Sequence, residues 1–343
     1  MNIEELKSGV NVALSNQVSE FCSELIEIDG KLNLIADSLT EYLSEGKRFR
    51  PLFALIGYLG TDSKVTNEIY KAAASLEFLQ ACALIHDDLM DGSDTRRGKP
   101  SIHKQFEAKY DSKFGGASAI LIGDLALAWN EQALHRSGIS TDAHLAVNPI
   151  HDIMRTELMA GQFLDILEGT ESTFSIERAL KIARYKSGKY SIERPLHFGT
   201  AIALPTNLDI FNEIYSDYGL PLGEAFQLRD DLLGVFGDPA ETGKPAGDDL
   251  REGKRTALIA YAFDRGNEAT KKLLREKLGT NLNDSEVSQL RGAIDDSGAV
   301  IHIEDLIEKL VEGALDAIER DELNTGGKNL LAEMASLVTK RSR

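Results

Sequence analysis

The chain has 343 residues and a formal net charge of −17 at pH 7, with 55 acidic and 38 basic side chains. This acidic balance argues against nucleic acid as a partner. Its two cysteines, Cys22 and Cys82, lie in apolar helical patterns, which favours buried thiols in a reducing compartment over a disulfide.

The N-terminal segment is acidic and lacks the apolar core of a signal peptide. The longest apolar run, residues 117–122, is interrupted by Gly123 and Asp124, so it is too short to cross a bilayer. We therefore expect a cytoplasmic protein with no membrane span.

Apolar residues follow the 3.6-residue period of helices over long stretches, and sustained two-residue alternation is scarce. Short breaks, among them residues 92–103, 114–116 and 237–253, separate these stretches. The pattern predicts an all-α protein with more than ten helices. Because the candidate motifs extend from residue 46 to residue 256, we expect one domain over residues 1–343 rather than two.

The first candidate motif is the basic segment Gly46-Lys47-Arg48-Phe49-Arg50-Pro51. Pro51 suits the first turn of a helix, which would place Lys47 and Arg50 on the loop before it. A helix N-terminus attracts anions, so this segment is a candidate anion site.

An acidic segment follows at the end of the next helical pattern, where Asp87-Asp88-Leu89-Met90-Asp91 places Asp87 and Asp91 on one helix face. Like charges this close repel unless a cation neutralises them. Mg²⁺ suits them because it takes oxygen ligands and is usually held by one or two carboxylates together with substrate phosphates. Taken alone, such a pair is more often a solvated helix end.

The segment Phe226-Gln227-Leu228-Arg229-Asp230-Asp231-Leu232-Leu233-Gly234 repeats this layout later in the chain. Basic turns follow both acidic segments: Arg96 and Arg97 after the first, and Lys244 and Lys254 after the second. Two acidic helix faces directed at one cavity, with basic loops beside them, fit a phosphorylated ligand held by metal on one side and by Arg and Lys on the other.

From Gly46 to Thr256 these motifs resemble, in order and spacing, those of the all-trans polyprenyl diphosphate synthases, which include farnesyl and geranylgeranyl diphosphate synthases. Gly161-Gln162-Phe163-Leu164-Asp165 and Lys186-Ser187 extend the likeness. The resemblance implies the isoprenoid synthase fold, a single antiparallel helical bundle around a central cavity, usually as a homodimer.

The resemblance implies a Mg²⁺-dependent prenyltransferase that condenses isopentenyl diphosphate with dimethylallyl, geranyl or farnesyl diphosphate. It assigns two of three Mg²⁺ ions to Asp87 and Asp91 and the third to Asp230, with Asp88 and Asp231 in support. The allylic diphosphate would be bound by Arg96, Lys186, Gln227, Lys244 and Lys254, and the isopentenyl diphosphate by Lys47, Arg50, Gln80 and Arg97. Lys186, Ser187 and Gln227 would stabilise the allylic carbocation. Gly234 stands where the full pattern has a third Asp, and Ser187 where it usually has Thr.

Product length is predicted from residues before Asp87. The helix that carries Asp87 should line the tunnel into which the product grows. Cys82 and Ala83, about one turn before Asp87, are small enough to let the product pass, and Phe78 and Leu79, a further turn away, are large enough to close the tunnel. A helical turn of about 5.4 Å is roughly one isoprene unit, which predicts geranylgeranyl diphosphate. A farnesyl or slightly longer product is the alternative. Phe78 would instead be a core residue if a neighbouring helix set the limit.

Two other functions compete. A terpene cyclase would share the first acidic motif, but it needs no second diphosphate pocket, so the basic segment at Gly46 and Arg97 argue against it. A non-catalytic regulatory subunit would keep the fold. Gly234 is the sole support for that function, and intact Asp87, Lys186 and Gln227 oppose it.

Overall fold

The computed structural model describes residues 1–171, 173–206, 208–238 and 247–340. Within these ranges the chain is overwhelmingly helical, and the only strands are Thr95–Arg96 and Lys99–Pro100, which pair antiparallel with Thr95 opposite Pro100. The all-α prediction is therefore confirmed. No helix in the described ranges combines the length and apolar character needed to cross a membrane.

The chain divides into two compact units. The first comprises Met1–Asn148 and Pro195–Leu208, and the second comprises Pro149–Arg194 and Asp209–Arg343. One domain over the whole chain stays a prediction.

Among its described residues, the first unit contains six complete α-helices, α1 (Ile3–Ile28), α2 (Asn33–Ser44), α3 (Phe49–Leu59), α4 (Asn67–Asp91), α5 (Ile102–Lys109) and α6 (Ser112–His135), and one 3-10 helix, Gly30–Leu32. Two more helices have residues in both units: α7 (Thr141–Thr170) and α9 (Arg194–Ala203).

The second unit contains α8 (Ile176–Ala183), a π-helix (Arg184–Glu193), α10 (Asp209–Phe236), α11 (Asp248–Glu252), α12 (Ala257–Arg265), α13 (Glu268–Lys277), α14 (Asp284–Asp296), α15 (Ala299–Ala317) and α16 (Thr325–Thr339). Leu228 and Leu232 of α10 are buried in one apolar core with α12, α14 and α15.

An aromatic cluster joins α4 to α1 and α6 in the first unit. The ring centroid of Phe78 lies 5.7 Å from that of Phe21 and 6.1 Å from that of Trp129. Phe78 is fully buried, and the amide nitrogen of Asn130 donates to the Ser75 carbonyl at 2.8 Å beside it. These contacts fix the position of α4, which carries the first acidic motif.

Gly92 ends α4 directly after that motif. It adopts the left-handed conformation (φ 68°, ψ 24°), and its N–H donates to the Asp88 carbonyl. Glycine adopts this conformation without steric cost, so it is the usual residue for stopping a helix. Asp87 and Asp91 therefore both lie in the final turns of α4, on one face.

Two of the predicted breaks differ in the structure. Helix α6 continues through residues 114–116, because Gly115 serves close packing rather than a turn: a Cβ on it would lie 2.4 Å from the His103 carbonyl oxygen of α5. Within the predicted break at 237–253, Asp248–Glu252 forms the short helix α11.

Candidate active site

The first acidic motif forms an ion-pair cluster with Arg96. The Nε atom of Arg96 donates to Oδ1 and Oδ2 of Asp88 at 2.9 and 3.1 Å, and its Nη2 also binds Asp88 and lies 3.5 Å from Oδ2 of Asp87. The Asp88 side chain is 1 % exposed, whereas that of Asp87 is 16 % exposed. Asp88 thus anchors Arg96, while Asp87 lies nearer the surface of its unit.

One side of α4 is only partly buried. It consists of Gln80, Ala83, Asp87 and Asp91, whose spacing of three or four residues places them on one face. Gln80, predicted to bind a diphosphate, therefore shares a face with the two predicted metal ligands.

The basic segment is shaped by Arg48. Its φ is +60°, its side chain is 3 % exposed, and its Nη1 lies 2.6 Å from Glu77 Oε2. Its Nη2 donates to the Leu43 carbonyl at 2.6 Å. Arg48 is therefore a buried support of the loop. The sequence did not distinguish it from the other cations, because its partner Glu77 is distant along the chain.

The neighbouring cations lie close to the predicted positions, with one correction. Helix α3 begins at Phe49, so Lys47 precedes the helix as predicted, but Arg50 lies in its first turn rather than on the loop. Pro51 lies in the first turn of the helix as predicted, but it is the third helical residue, so Arg50 precedes it within that turn and the placement of Arg50 on the loop was wrong.

Arg97 connects the second basic turn to this loop. Its Nη1 donates to the carbonyls of Glu45 and Tyr42 at 2.7 and 3.1 Å. A Cβ on Gly46 would lie 3.6 Å from Arg97 Nη2. The structure thus brings Arg97 to the segment that carries Lys47, as expected if both bind one diphosphate.

Lys186 and Ser187 lie on the π-helix, a conformation not predicted from the sequence. Such helices are rare and frequently occur at functional sites. The Nζ atom of Lys186 lies 2.5 Å from Oδ2 of Asp165 on α7. Asp165 belongs to the quoted motif at Gly161 but was not assigned to the site.

Three residues at four-residue spacing on α7 hold the π-helix. Glu157 accepts from Lys189 and Arg194 at 3.0 and 2.7 Å. A Cβ on Gly161 would lie 2.3 Å from the Lys186 nitrogen, so only glycine permits this approach. Asp165 completes the row by binding Lys186. The four-residue spacing of Glu157, Gly161 and Asp165 is the sequence feature from which a role for Asp165 could have been predicted.

Helix α10 carries the second acidic motif. The amide nitrogen of Gln227 donates to Oδ1 of Asp231 at 2.8 Å. Asp231 is 4 % exposed, and the pKa of its carboxyl is raised to about 8, chiefly by burial and further by the charges of Asp249, Asp230 and Asp165. A buried carboxyl among other carboxylates favours a nearby cation.

Asp249 of α11 approaches this motif. A Cβ on Gly234 would lie 1.9 Å from Oδ2 of Asp249. Lys254, predicted to bind the allylic diphosphate, lies with its Nζ 3.7 Å from Oδ1 of Asp249 and 2.6 Å from Oε2 of Glu252. Neither Asp249 nor Glu252 was assigned to the site from the sequence. Lys244 lies outside the described residues.

The donor atoms of both acidic motifs suit Mg²⁺, because they are carboxylate oxygens. Among the described residues, no three or more His, Cys, Asp or Glu side chains are arranged to hold an ion by themselves. One or two carboxylates are what Mg²⁺ usually takes from a protein, with substrate phosphates and water as the other ligands.

The residues predicted to set product length are buried to different extents. Phe78, Leu79 and Cys82 are 0, 1 and 5 % exposed, and Ala83 is partly exposed. The contacts of Phe78 with Phe21 and Trp129 are those expected of a core residue. Cys82 lies 3.7 Å from His86 Nδ1, and burial raises the pKa of its thiol to about 12. The role of these residues in product length stays a prediction. Both cysteines are free and buried, as expected.

Comparison with known proteins agrees with the motifs. The family described as polyprenyl synthetase matches residues 32–294. A short chain isoprenyl diphosphate synthase of Methanocaldococcus jannaschii is 31 % identical over 80 % of this chain and 79 % of its own length. A geranylfarnesyl diphosphate synthase of Aeropyrum pernix is 32 % identical over 86 % of this chain and 90 % of its own length.

Among solved structures, a geranylgeranyl pyrophosphate synthase of Corynebacterium glutamicum, complexed with isoprenyl diphosphate and magnesium, superposes with a TM-score of 0.95. It is 36 % identical, and the match covers both chains completely. The predicted fold and prenyltransferase activity are thereby confirmed, and a divalent metal cofactor is supported. The chain belongs to the polyprenyl synthetase family.

Proposed function

We propose that the chain catalyses the Mg²⁺-dependent condensation of isopentenyl diphosphate with an allylic diphosphate, with geranylgeranyl diphosphate as the main product. The observation that carries this proposal is the end of α4, where Asp87 and Asp91 share a partly buried face and Arg96 is bound beside them. Similarity to synthases named for geranylgeranyl and geranylfarnesyl products supports a short-chain product.

Asp87 and Asp91 are proposed to hold two Mg²⁺ ions and Asp230 a third. Asp88 and Asp231 act in support, since both are nearly fully buried and already bind Arg96 and Gln227. When bound, the ions stabilise the negative charge that develops on the diphosphate as it leaves.

The cations fall into two proposed groups. Arg96, Lys186, Lys244 and Lys254 bind the allylic diphosphate together with Gln227, and Lys47, Arg50, Gln80 and Arg97 bind isopentenyl diphosphate. Asp88 holds the Arg96 guanidinium through Nε and Nη2, so its orientation is set before substrate arrives. Such preorganisation lowers the entropy lost on binding.

Ionisation of the allylic substrate leaves a carbocation that requires oxygen lone pairs nearby. The Lys186 carbonyl, the Ser187 hydroxyl and the Gln227 amide oxygen are proposed to provide them. Because the Gln227 nitrogen donates to Asp231, its oxygen is directed away from that carboxylate. The double bond of isopentenyl diphosphate then attacks the cation, and a proton is lost to the departed diphosphate.

A homodimer is proposed from the exposed face of α6. Phe114, Ile120 and Leu121 are 43, 50 and 64 % exposed. Phe114 and Leu121 are seven residues apart and therefore share a helix face. Large apolar side chains exposed on one face usually mark an interface, and a second copy is the commonest partner. Light scattering of the wild type and of Leu121→Lys tests this, because the substitution should yield monomers. The cytoplasmic location stays a prediction.

The enzymatic proposal is tested by incubating purified protein with labelled isopentenyl diphosphate, farnesyl diphosphate and Mg²⁺. We expect a labelled prenyl diphosphate to form, and excess chelator to abolish its formation. Undiminished turnover in chelator, or no turnover with any allylic primer, would contradict the proposal.

A further inference from the structure

Arg48 differs in burial from the two cations beside it in the first basic segment. Its side chain is 3 % exposed, whereas Lys47 is exposed and Arg50 is partly buried. Its backbone is left-handed (φ 60°, ψ 29°), a conformation that a non-glycine residue keeps only where the surrounding structure holds it. Of these three cations, Arg48 is thus the one that a diphosphate cannot reach.

The Arg48 guanidinium connects three helices of the first unit. Its Nε donates to Oδ1 of Asn11 on α1 at 2.9 Å, and its Nη2 donates to the Leu43 carbonyl of α2 at 2.6 Å. Its Nη1 donates to the Glu45 carbonyl at 3.1 Å and to Oε2 of Glu77 on α4 at 2.6 Å. The Glu77 side chain is 6 % exposed, so this is a buried pair whose two charges compensate each other.

The Glu45 carbonyl is shared by both basic segments of this unit. It accepts from Arg48 Nη1 at 3.1 Å and from Arg97 Nη1 at 2.7 Å. Gly46 follows it with a φ of +148°, which is readily available to glycine alone. One peptide group therefore fixes Arg97 relative to Arg48, and with it relative to the adjacent Lys47.

Glu77 extends this arrangement to the helix of the first acidic motif. It precedes Gln80 by three residues, so the two are neighbours on the surface of α4. Glu77 is buried, whereas Gln80 is only partly buried. The pair with Arg48 thus relates the position of Gln80 on α4 to that of the loop that carries Lys47.

We propose that the buried Arg48–Glu77 pair positions the residues that bind isopentenyl diphosphate. By fixing the Glu45 carbonyl it sets the spacing of Lys47, Gln80 and Arg97, and it does so without touching the substrate. Groups that are placed before binding lose less entropy when the substrate arrives, so the pair raises the affinity for this diphosphate. The inference rests on the function proposed above, in which these residues form the second diphosphate pocket.

The allylic pocket has a separate anchor. Arg96, which is assigned to that pocket, is bound by Asp88, through Nε at 2.9 and 3.1 Å. Loss of the Arg48–Glu77 pair should therefore weaken the binding of one substrate and spare the other, which a general loss of stability would not do.

Arg48→Met with Glu77→Leu removes the pair and keeps much of its volume. Replacing a buried ion pair by apolar residues of similar size often leaves stability unchanged, whereas the carbonyls of the loop lose their bonds to Arg48. The Michaelis constant for isopentenyl diphosphate should rise about tenfold, the loss expected for one charged hydrogen bond to the substrate. The constant for farnesyl diphosphate should stay near the wild-type value.

Leu134→Ala on α6 is the control for stability, because Leu134 is fully buried in the same unit. It should lower the midpoint of thermal unfolding and leave both Michaelis constants unchanged. An unchanged constant for isopentenyl diphosphate in the double variant, or an equal rise in both constants, would overturn the proposal.

Arg48→Lys applies even if the double variant fails to fold. It keeps a positive charge beside Glu77, but one ammonium group cannot reproduce the contacts of three guanidinium nitrogens. It should raise the Michaelis constant for isopentenyl diphosphate alone, and an unchanged constant would refute the positioning role. If the wild type itself elongated no allylic primer, the proposed function would be wrong, and not merely the role of this pair.

Discussion

Asp88 is buried beneath Arg96 and binds its Nε through both carboxylate oxygens, at 2.9 and 3.1 Å. Removing one member of a buried pair leaves the other charge uncompensated. The second Asp of the first motif is therefore primarily a support for Arg96, and Asp87 and Asp91 are the carboxylates of that motif proposed to meet metal.

Asp88→Ala should lower the free energy of unfolding by about 3 kcal/mol, the usual effect of breaking a buried ion pair. Urea unfolding followed by circular dichroism measures this. Asp94→Ala is the control, because Asp94 is 80 % exposed where it faces Lys104, and such surface pairs contribute about 0–1 kcal/mol. Similar unfolding midpoints for the two variants would mean that the Asp88–Arg96 pair is not stabilising.

Asp87→Ala and Asp230→Ala should each lower turnover by at least about a hundredfold, because their metals act mainly as the diphosphate leaves. Steady-state kinetics at saturating substrate and Mg²⁺ provide the test. Asp124→Ala on α6 is the matched control, since that carboxylate is 62 % exposed. Turnover near the wild-type value in either motif variant would remove that residue from the metal site.

Arg50→Ala and Arg97→Ala should raise the Michaelis constant for isopentenyl diphosphate by about tenfold, the loss expected for one charged hydrogen bond. The constant for the allylic primer should change less. Lys244→Ala should show the reverse preference, and exposed Lys113→Ala should change neither constant. Equal effects of the Arg and Lys244 variants on both substrates would show that the assignment to two pockets is wrong.

Much of this site could be predicted because its residues are adjacent or lie one helical turn apart. The pairing of Asp87 with Asp91 follows from helical spacing alone, and the structure keeps both on one face. The helical fold was likewise readable from the period of the apolar residues.

The remainder depends on contacts between residues distant along the chain. Arg48 and Glu77 are 29 residues apart, and no sequence period relates them. The π-helix has no apolar period in the sequence that would distinguish it from an α-helix. Its position is fixed by the contacts of Glu157, Gly161 and Asp165. Gly115 was interpreted as a turn, because a glycine that permits close packing has the same sequence signal.

Product length gives a prediction about α4. Cys82→Phe should shift the main product to farnesyl diphosphate if this helix limits growth, whereas Cys82→Ala should leave it unchanged. Phe78→Ala with Leu79→Ala should release longer chains. Removing the Phe78 ring, which contacts Phe21 and Trp129, should also lower the free energy of unfolding by about 3–5 kcal/mol. Products are therefore compared at low temperature. Identical product lengths in all these variants would exclude α4 as the determinant.

The most direct test of the central claim is to size the products of the purified wild-type enzyme. The protein is incubated with Mg²⁺, labelled isopentenyl diphosphate and, in turn, dimethylallyl, geranyl and farnesyl diphosphate, and the dephosphorylated products are separated by chromatography. We predict that geranylgeraniol will be the main product from each primer and that no product will form in excess chelator. A main product of another length would contradict the product assignment, and the absence of any elongated product would contradict the proposed enzymatic function.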